Sequence, residues 1–225
     1  MKLLPIGPAL LALSGVASAQ VAPTPGDIAG YSGLHAASHT GNAEQIAALA
    51  ASGADLEARD RAGRTPVHVA AFASNDDALR ALAAAGADLN ALEGQAYDVL
   101  TIAAVANDPT LVALALELGN RADLITSPYD GTALIAAAHL GHHEVVRLLA
   151  EGGAPLDHVN NLGWTALIEA VVLGDGGPDH VATVQVLLAA GADPTIPDRD
   201  RLTPLAHAEA RGFVQIAALL AAKPD

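Results

Sequence analysis

Apolar residues recur along the chain at helical spacing, in pairs of short segments separated by breaks. Val67, Ala70 and Ala71 fall three and four positions apart, which places them on one face of a helix. Leucines at the same spacing follow in a second segment, after a break at Ser74 and Asn75. This pattern predicts a helix, a chain reversal and a second helix, and similar patterns appear along most of the chain.

The unit recurs with a period close to 33 residues. Residues suited to open a helix are spaced by 33, 33, 34, 33 and 38 positions, and they are termed openers: Ser32, Thr65, Asp98, Thr132, Thr165 and Thr203. The long step of 38 places an insertion, Asp175 to Asp179, in the fifth unit. One such unit cannot bury its apolar face alone, so the repetition predicts a stack of units with one continuous core.

The segment Thr65-Pro66-Val67-His68-Val69-Ala70-Ala71 resembles the T-P-L-H-x-A-A opening of the ankyrin repeat, and Thr203-Pro204-Leu205 resembles its first part. The resemblance runs from about Ile28 to Lys223. It implies an all-α ankyrin-repeat solenoid over 28–225, with about six stacked helix-turn-helix units and short hairpin fingers. The units are expected at about 28–59, 60–92, 93–126, 127–159, 160–197 and 198–225.

The start of the chain has the composition of a secretory signal. Lys2 precedes an apolar stretch, and Ala17-Ser18-Ala19 forms an A-x-A cleavage site before Gln20. A membrane anchor is the alternative, but the stretch is shorter than the ~20 apolar residues that span a bilayer. We therefore expect a cleaved signal peptide over 1–19, a flexible lead-in over 20–27 and a periplasmic location.

Composition narrows the classes of partner. Acidic residues outnumber basic ones by 25 to 11, and the resulting charge of -14 disfavours nucleic acids and anionic membranes. The chain has no cysteine, which excludes disulfides and thiolate metal sites. We expect a monomer that binds a protein partner of unknown identity and needs neither a cofactor nor a metal.

In ankyrin proteins the partner lies on the concave side, against the fingers and the ends of the inner helices. Four of the six aromatic residues of this chain fall at the matching positions. Aromatic and arginine side chains are frequent interface anchors, although the same aromatics could brace one finger against the next. The resemblance therefore implies a partner-binding surface made of Tyr31, His39, Arg64, Phe72, Tyr97, Tyr129, His139, Trp164, Leu173, Asp175, Arg201 and Arg211.

Candidate metal ligands are few. His35 and His68 occupy the histidine position of the family motif, where the resemblance implies a finger-bracing role. Gly141 interrupts a helix on which three other histidines have a spacing suited to zinc: His139, His142 and His143. The inserted loop at Asp175 could bend around a cation, but it is better interpreted as an extension of the binding edge.

Glu169 and His207 hold equivalent positions, four residues after their openers. We expect them to face each other as a polar lock between the fifth and sixth units, with general acid-base chemistry as the alternative. Since no nucleophile or phosphate-binding motif accompanies them, the sequence predicts a non-catalytic binding protein. The resemblance to exported bacterial proteins implies one alternative, an accessory factor that supports a catalase in oxidative stress or inhibits an enzyme. The candidate residues leave a second alternative, a hydrolase or metal enzyme using Glu169, His207 or His139.

Overall fold

The computed structural model describes residues 20–222, which form thirteen α-helices and no strand. The predicted signal peptide, 1–19, lies outside the described residues. After the short α1 (Pro25–Gly30), the helices form six pairs. The inner helices are α2 (Gly33–Thr40), α4 (Pro66–Phe72), α6 (Val99–Val105), α8 (Ala133–Leu140), α10 (Ala166–Val172) and α12 (Pro204–Arg211). The outer helices are α3 (Ala43–Ala51), α5 (Asp76–Ala85), α7 (Pro109–Glu117), α9 (His143–Glu151), α11 (Pro178–Ala190) and α13 (Val214–Ala221).

Every inner helix begins directly after its opener, as the sequence predicts. Four openers accept a hydrogen bond from the backbone N–H three residues on, which satisfies a donor that the first helical turn leaves free: Asp98, Thr132, Thr165 and Thr203. Thr65 differs, because its backbone N–H donates to Nδ1 of His68 over 3.1 Å. The openers therefore fix where each unit starts.

The inner helices pack against one another in chain order, and the outer helices lie beside them. The residue five positions after each opener is an alanine without exposed surface: Ala37, Ala70, Ala103, Ala137, Ala170 and Ala208. Such small side chains let neighbouring inner helices approach closely, and one apolar cluster extends from Leu34 to Leu220. The predicted all-α solenoid is thus confirmed. No described helix combines the length and the apolar character needed to cross a bilayer.

From the second repeat on, each finger is a five-residue loop whose first residue holds the loop together through side-chain hydrogen bonds. These fingers span 60–64, 93–97, 127–131, 160–164 and 198–202. A side-chain oxygen of the first residue accepts hydrogen bonds from the backbone N–H groups two and four positions on. We term these first residues the closing residues: Asp60, Glu93, Ser127, Asn160 and Asp198.

Residues 20–27, which the sequence predicts as a flexible lead-in, include the start of α1 and make contacts with the second repeat. Thr24 and Asp27 form a reciprocal capping box that starts α1. Arg64, only 1% exposed, donates to the carbonyl of Val21 over 3.1 Å and to the Asp27 carboxylate over 3.1 Å. Hydrogen bonds from Thr24, followed by that from Arg64, lower the pKa of Asp27 to about 2. A buried guanidinium therefore fixes this segment to the second repeat.

His68 is a buried link between repeats. Its Nδ1 accepts from the Thr65 N–H, so Nε2 carries the proton and donates to the carbonyl of Ala91 over 2.9 Å. The ring has no exposed surface, and this burial lowers the pKa of His68 from 6.5 to about 4. The folded chain therefore keeps this histidine neutral at pH values where the unfolded chain takes up a proton.

Mild acid is expected to destabilise the protein through His68. Between pH 6.5 and 4 only the unfolded chain binds this proton, so the free energy of unfolding should fall by about 3 kcal/mol. Below pH 4 both states are protonated, and this group contributes no further loss. Urea unfolding at several pH values should show the slope in wild type and a flatter one in His68→Gln. A His68→Gln variant that kept the wild-type slope would contradict the assignment.

Candidate functional site

A cleft lies on the concave side, where the third, fourth and fifth repeats meet. Two fingers supply Tyr97 and Tyr129 to it. The inner helices supply Val105 and Ile135 among others, and Leu173 lies at the end of α10. The cavity holds about 60 Å³. A cavity needs roughly 10–15 Å³ to hold one water molecule, and this cavity is several times larger. The cleft therefore has room for the end of one side chain.

The cleft coincides with a change at the histidine position of the motif. In the first two repeats this ring lies within hydrogen-bonding distance of a carbonyl in the next finger, at 3.0 Å for His35 and 3.2 Å for His68. Both rings therefore have the structural role that the sequence predicts. The next three repeats carry Thr101, Ile135 and Ile168 at this position. Ile135 cannot make such a bond, and it forms part of the cleft wall instead.

Glu169 is the carboxylate of the cleft. The residue is only 4% exposed, and it sits on α10. The side-chain amide of Asn160 donates to one carboxylate oxygen over 2.8 Å, and Nδ1 of His139 lies 3.2 Å from the other oxygen. Because Asn160 also closes its own finger, the carboxylate is tied both to that finger and to the preceding inner helix.

The predicted lock between Glu169 and His207 is wrong. His207 instead lies with Nε2 at 2.7 Å from a carboxylate oxygen of Asp198. In both repeats the side chain four positions after the opener turns back to the closing residue of its own finger, nine positions earlier. Burial raises the pKa of Asp198, but hydrogen bonds from the Leu202 N–H and from His207 outweigh it and hold this pKa below its usual value.

The three histidines with zinc-like spacing have separate partners. His139 pairs with Glu169, whereas Nδ1 of His142 lies 2.9 Å from the carbonyl of Ala104. His143 lies 4.0 Å from a carboxylate oxygen of Asp179. Within residues 20–222, no group of three histidine, aspartate or glutamate residues is arranged to hold a metal ion.

The cleft brings four of the predicted partner-binding residues together: Tyr97, Tyr129, His139 and Leu173. Tyr97 is more buried than the sequence suggests, at 6% exposed, and this burial raises the pKa of its hydroxyl. Tyr129 is half-buried and lies on the neighbouring finger. A partner would therefore meet Tyr129 and Leu173 more directly than Tyr97, whose ring forms part of the wall.

Two other predicted residues have structural roles. The guanidinium of Arg64 is enclosed by Asp60, Asp27 and the Val21 carbonyl, and contact of Arg64 with a partner stays a prediction. The hydroxyl of Tyr31 donates to Asp60 over 2.8 Å, in agreement with the bracing alternative. Burial raises the pKa of Asp60, but the hydrogen bonds from Arg64 and Tyr31 outweigh that effect and leave it below its usual value.

The remaining predicted residues lie outside the cleft. His39, Phe72 and Trp164 are half-buried, and Arg201 is exposed on the last finger. Their contact with a partner stays a prediction.

Two further predicted residues shape the region of the insertion. Arg211 donates to the carbonyl of Gly174, and its guanidinium lies 4.7 Å from the ring centre of Phe213. Asp175 accepts a hydrogen bond from the Gly177 N–H and lies 3.0 Å from Nδ1 of His180, so it closes the inserted loop. A role for either in partner binding also stays a prediction.

Motif reasoning missed several cleft residues, namely Gln20, Ser127, Asn160 and Leu162. Ser127 and Asn160 belong to a set that an alignment on the openers would show, since a polar residue stands five positions before each later opener. Gln20 carried no such signal. Its side-chain amide donates to the carbonyl of Thr101 over 3.0 Å, and the carbonyl of the next residue, Val21, accepts a hydrogen bond from Arg64.

Residues 9–93 and 100–198 match a family model described as ankyrin repeats, three copies. The chain belongs to the ankyrin repeat family. Ankyrin repeats are scaffolds for protein–protein interaction and are generally non-catalytic, so a protein-binding role follows for this chain.

Similar ankyrin repeat proteins are bacterial in several cases. The chain is 39% identical over 122 residues to the ankyrin repeat protein YahD of Escherichia coli (strain K12). The aligned region covers 54% of this chain and 60% of that protein. The chain thus spans less than two thirds of this curated relative. A solved ankyrin repeat domain from Acinetobacter baumannii is 40% identical, with a TM-score of 0.78 and coverage of 83% of this chain and 95% of that one. The ankyrin repeat protein EF0377 is 29% identical, with the same TM-score and coverage of 86% and 100%.

Proposed function

We propose that this ankyrin repeat protein is a non-catalytic binding protein that holds a protein partner in its concave cleft, as a monomer in the periplasm. Support for the location comes from the sequence, which begins with an apolar stretch and an A-x-A site before Gln20. The lack of cysteine suits an oxidising compartment. Mass spectrometry of the protein purified from a periplasmic fraction should find Gln20 at its N-terminus.

The observation that carries the proposed binding site is the composition of the cleft. Interface anchors tend to be aromatic and to sit in desolvated pockets near the centre of a contact surface. Tyr129, Leu162 and Leu173 are half-buried and line the cleft around Glu169. The cleft is also central in the stack, so a partner seated there would contact the third, fourth and fifth repeats at once.

Site-specific photo-crosslinking tests this placement. The full chain, expressed with its own leader, would carry the crosslinking residue at Tyr129 or Leu162 in the cleft, or at Ala84 on the exposed side of α5. We expect one partner to be captured from both cleft positions and not from position 84. Capture only of the chain itself, or equal capture from all three positions, would count against the proposal.

Tyr129→Ala should weaken partner binding about 30-fold, which corresponds to the roughly 2 kcal/mol lost at an interface anchor. The ring is half-buried on a finger, so the helical circular dichroism should stay unchanged. The affinity can be measured by titrating the captured partner, with Val214→Ala as control because Val214 is 77% exposed on α13. Equal affinities for the two variants would show that Tyr129 is not part of the contact surface.

The narrower roles differ in what the bound partner does. If the protein supports a catalase, the activity or lifetime of the captured enzyme should rise when the protein is added. If the protein is an inhibitor, the activity of the captured enzyme should fall in proportion to the fraction of that enzyme bound in the cleft. An unchanged activity would contradict both of these roles and support the scaffold role.

A further inference from the structure

The cleft contains a carboxylate whose neighbours only partly satisfy it. Glu169 accepts one hydrogen bond from Asn160, and His139 lies beside its other oxygen. An ionised carboxylate offers about four acceptor positions, so two remain for a ligand. Each carboxylate oxygen has one protein neighbour, so a donor arriving from outside can occupy the acceptor positions that remain.

The charge of Glu169 also lacks a strong counter-ion. Within residues 20–222, no lysine or arginine lies within salt-bridge distance of it, and His139 is the one group there able to carry a positive charge. Arg64 shows the contrast, since its buried guanidinium lies 2.7 Å from the partly buried carboxylate of Asp60. A cation entering the cleft would complete the Glu169 site in the way that Arg64 completes the Asp60 site.

The residues that line the cleft favour one kind of cation over another. Tyr97, Tyr129 and Leu173 line the cleft beside Glu169, so a ligand that is flat and partly apolar as well as positive suits it best. A guanidinium is planar, stacks on aromatic rings and donates two parallel hydrogen bonds to a carboxylate. An ammonium is compact and strongly hydrated, and it would fit these walls less well. The cavity of about 60 Å³ suits the end of one side chain.

We propose that the cleft binds an arginine side chain of the protein partner. The guanidinium donates to the Glu169 carboxylate and packs against Tyr97 and Tyr129. The charge of -14 carried by the chain adds a general attraction toward basic partners. This inference rests on the proposed function, because it names the group by which the partner enters the same cleft.

The test uses Nα-acetyl-arginine amide as the probe and its citrulline analogue as the matched neutral control. Titration of the isotope-labelled full chain by NMR should show saturable shifts at Glu169, His139 and Leu173 with the arginine compound. Citrulline has nearly the same shape without the charge, so its binding should be at least ten-fold weaker. Equal shifts with both compounds, shifts confined to other repeats, or no shifts at all would overturn the inference.

Variants locate the interaction. Glu169→Gln keeps the side-chain shape and should weaken the arginine compound about ten-fold. Glu209→Gln, at an exposed position on α12, should bind like wild type. Tyr129→Leu keeps an apolar wall while removing the ring, and it should weaken arginine more than citrulline. Equal binding by Glu169→Gln and wild type would overturn the assignment of Glu169.

Failure here is distinguishable from failure of the proposed function. If crosslinking from the cleft captures a partner and Glu169→Gln captures it equally well, the arginine assignment is wrong while partner binding stands. If the cleft positions capture no partner, the proposed function itself fails, whatever the small compounds do.

Discussion

Arg64→Met is expected to lower the free energy of unfolding by about 3–5 kcal/mol, as removal of one member of a buried ion pair does in other proteins. The side chain is 1% exposed and bonds to Asp60, Asp27 and the Val21 carbonyl. Methionine fills much of the space but leaves the Asp60 carboxylate with an uncompensated charge. Residues 20–27 also lose two of their bonds to the second repeat, those of Val21 and Asp27. Urea unfolding followed by circular dichroism measures the change.

Arg80→Met is the matched control for this prediction. Arg80 pairs with Glu117 over 3.2 Å, but both side chains are more than half exposed, so the loss should stay below about 1 kcal/mol. Adding Asp60→Asn to Arg64→Met should recover part of the stability, because it removes the stranded charge. If Arg64→Met cost no more than Arg80→Met, Arg64 would not be the buried anchor described above.

Leu134→Ala is expected to cost about 2–5 kcal/mol, the range for removing a fully buried leucine side chain. Leu134 has no exposed surface, and its helix, α8, packs against α6 on one side and α10 on the other. The cavity therefore weakens the middle of a stack in which each repeat is stabilised mainly by its neighbours. Unfolding monitored by Trp164 fluorescence should then no longer coincide with unfolding monitored by circular dichroism.

Leu220→Ala provides the comparison at the end of the stack. Leu220 is 6% exposed on α13, which packs on α11 and α12 at the last repeat. Its loss should fray the terminal helix and leave the transition of the remaining repeats coincident by both probes. Coincident transitions in Leu134→Ala as well would show that the array unfolds as one unit even when its centre is weakened.

The sequence predicts the fold because the signals that determine it are local and repeated. Openers such as Thr65 and Asp98 stand at the helix starts for reasons that concern only the next turn. The alanine five positions after each opener fixes how closely the units stack. The bracing role of His35 and His68 also followed from the motif, because the ring reaches the adjacent finger over a distance that the repeat itself sets.

The details of the site depend on choices that periodicity leaves open. Glu169 could point toward the next repeat, toward its own finger or toward the helix before it, and the side chains of Asn160 and His139 decide among these directions. Arg64 resembles a surface residue in the sequence because two of its bonding partners, Val21 and Asp27, lie in a polar segment outside the repeats. Contacts between repeated and non-repeated parts leave no periodic trace in the sequence.

The closing residues also bear on how such an array changes its length during evolution. Each later finger is completed by an oxygen of its own first residue, so a unit duplicated or deleted in the gene carries its loop closure with it. The Glu169 site lacks that independence, because it combines Asn160 of its own unit with His139 of the one before. A unit gained between the fourth and fifth would spare the architecture and separate His139 from Glu169.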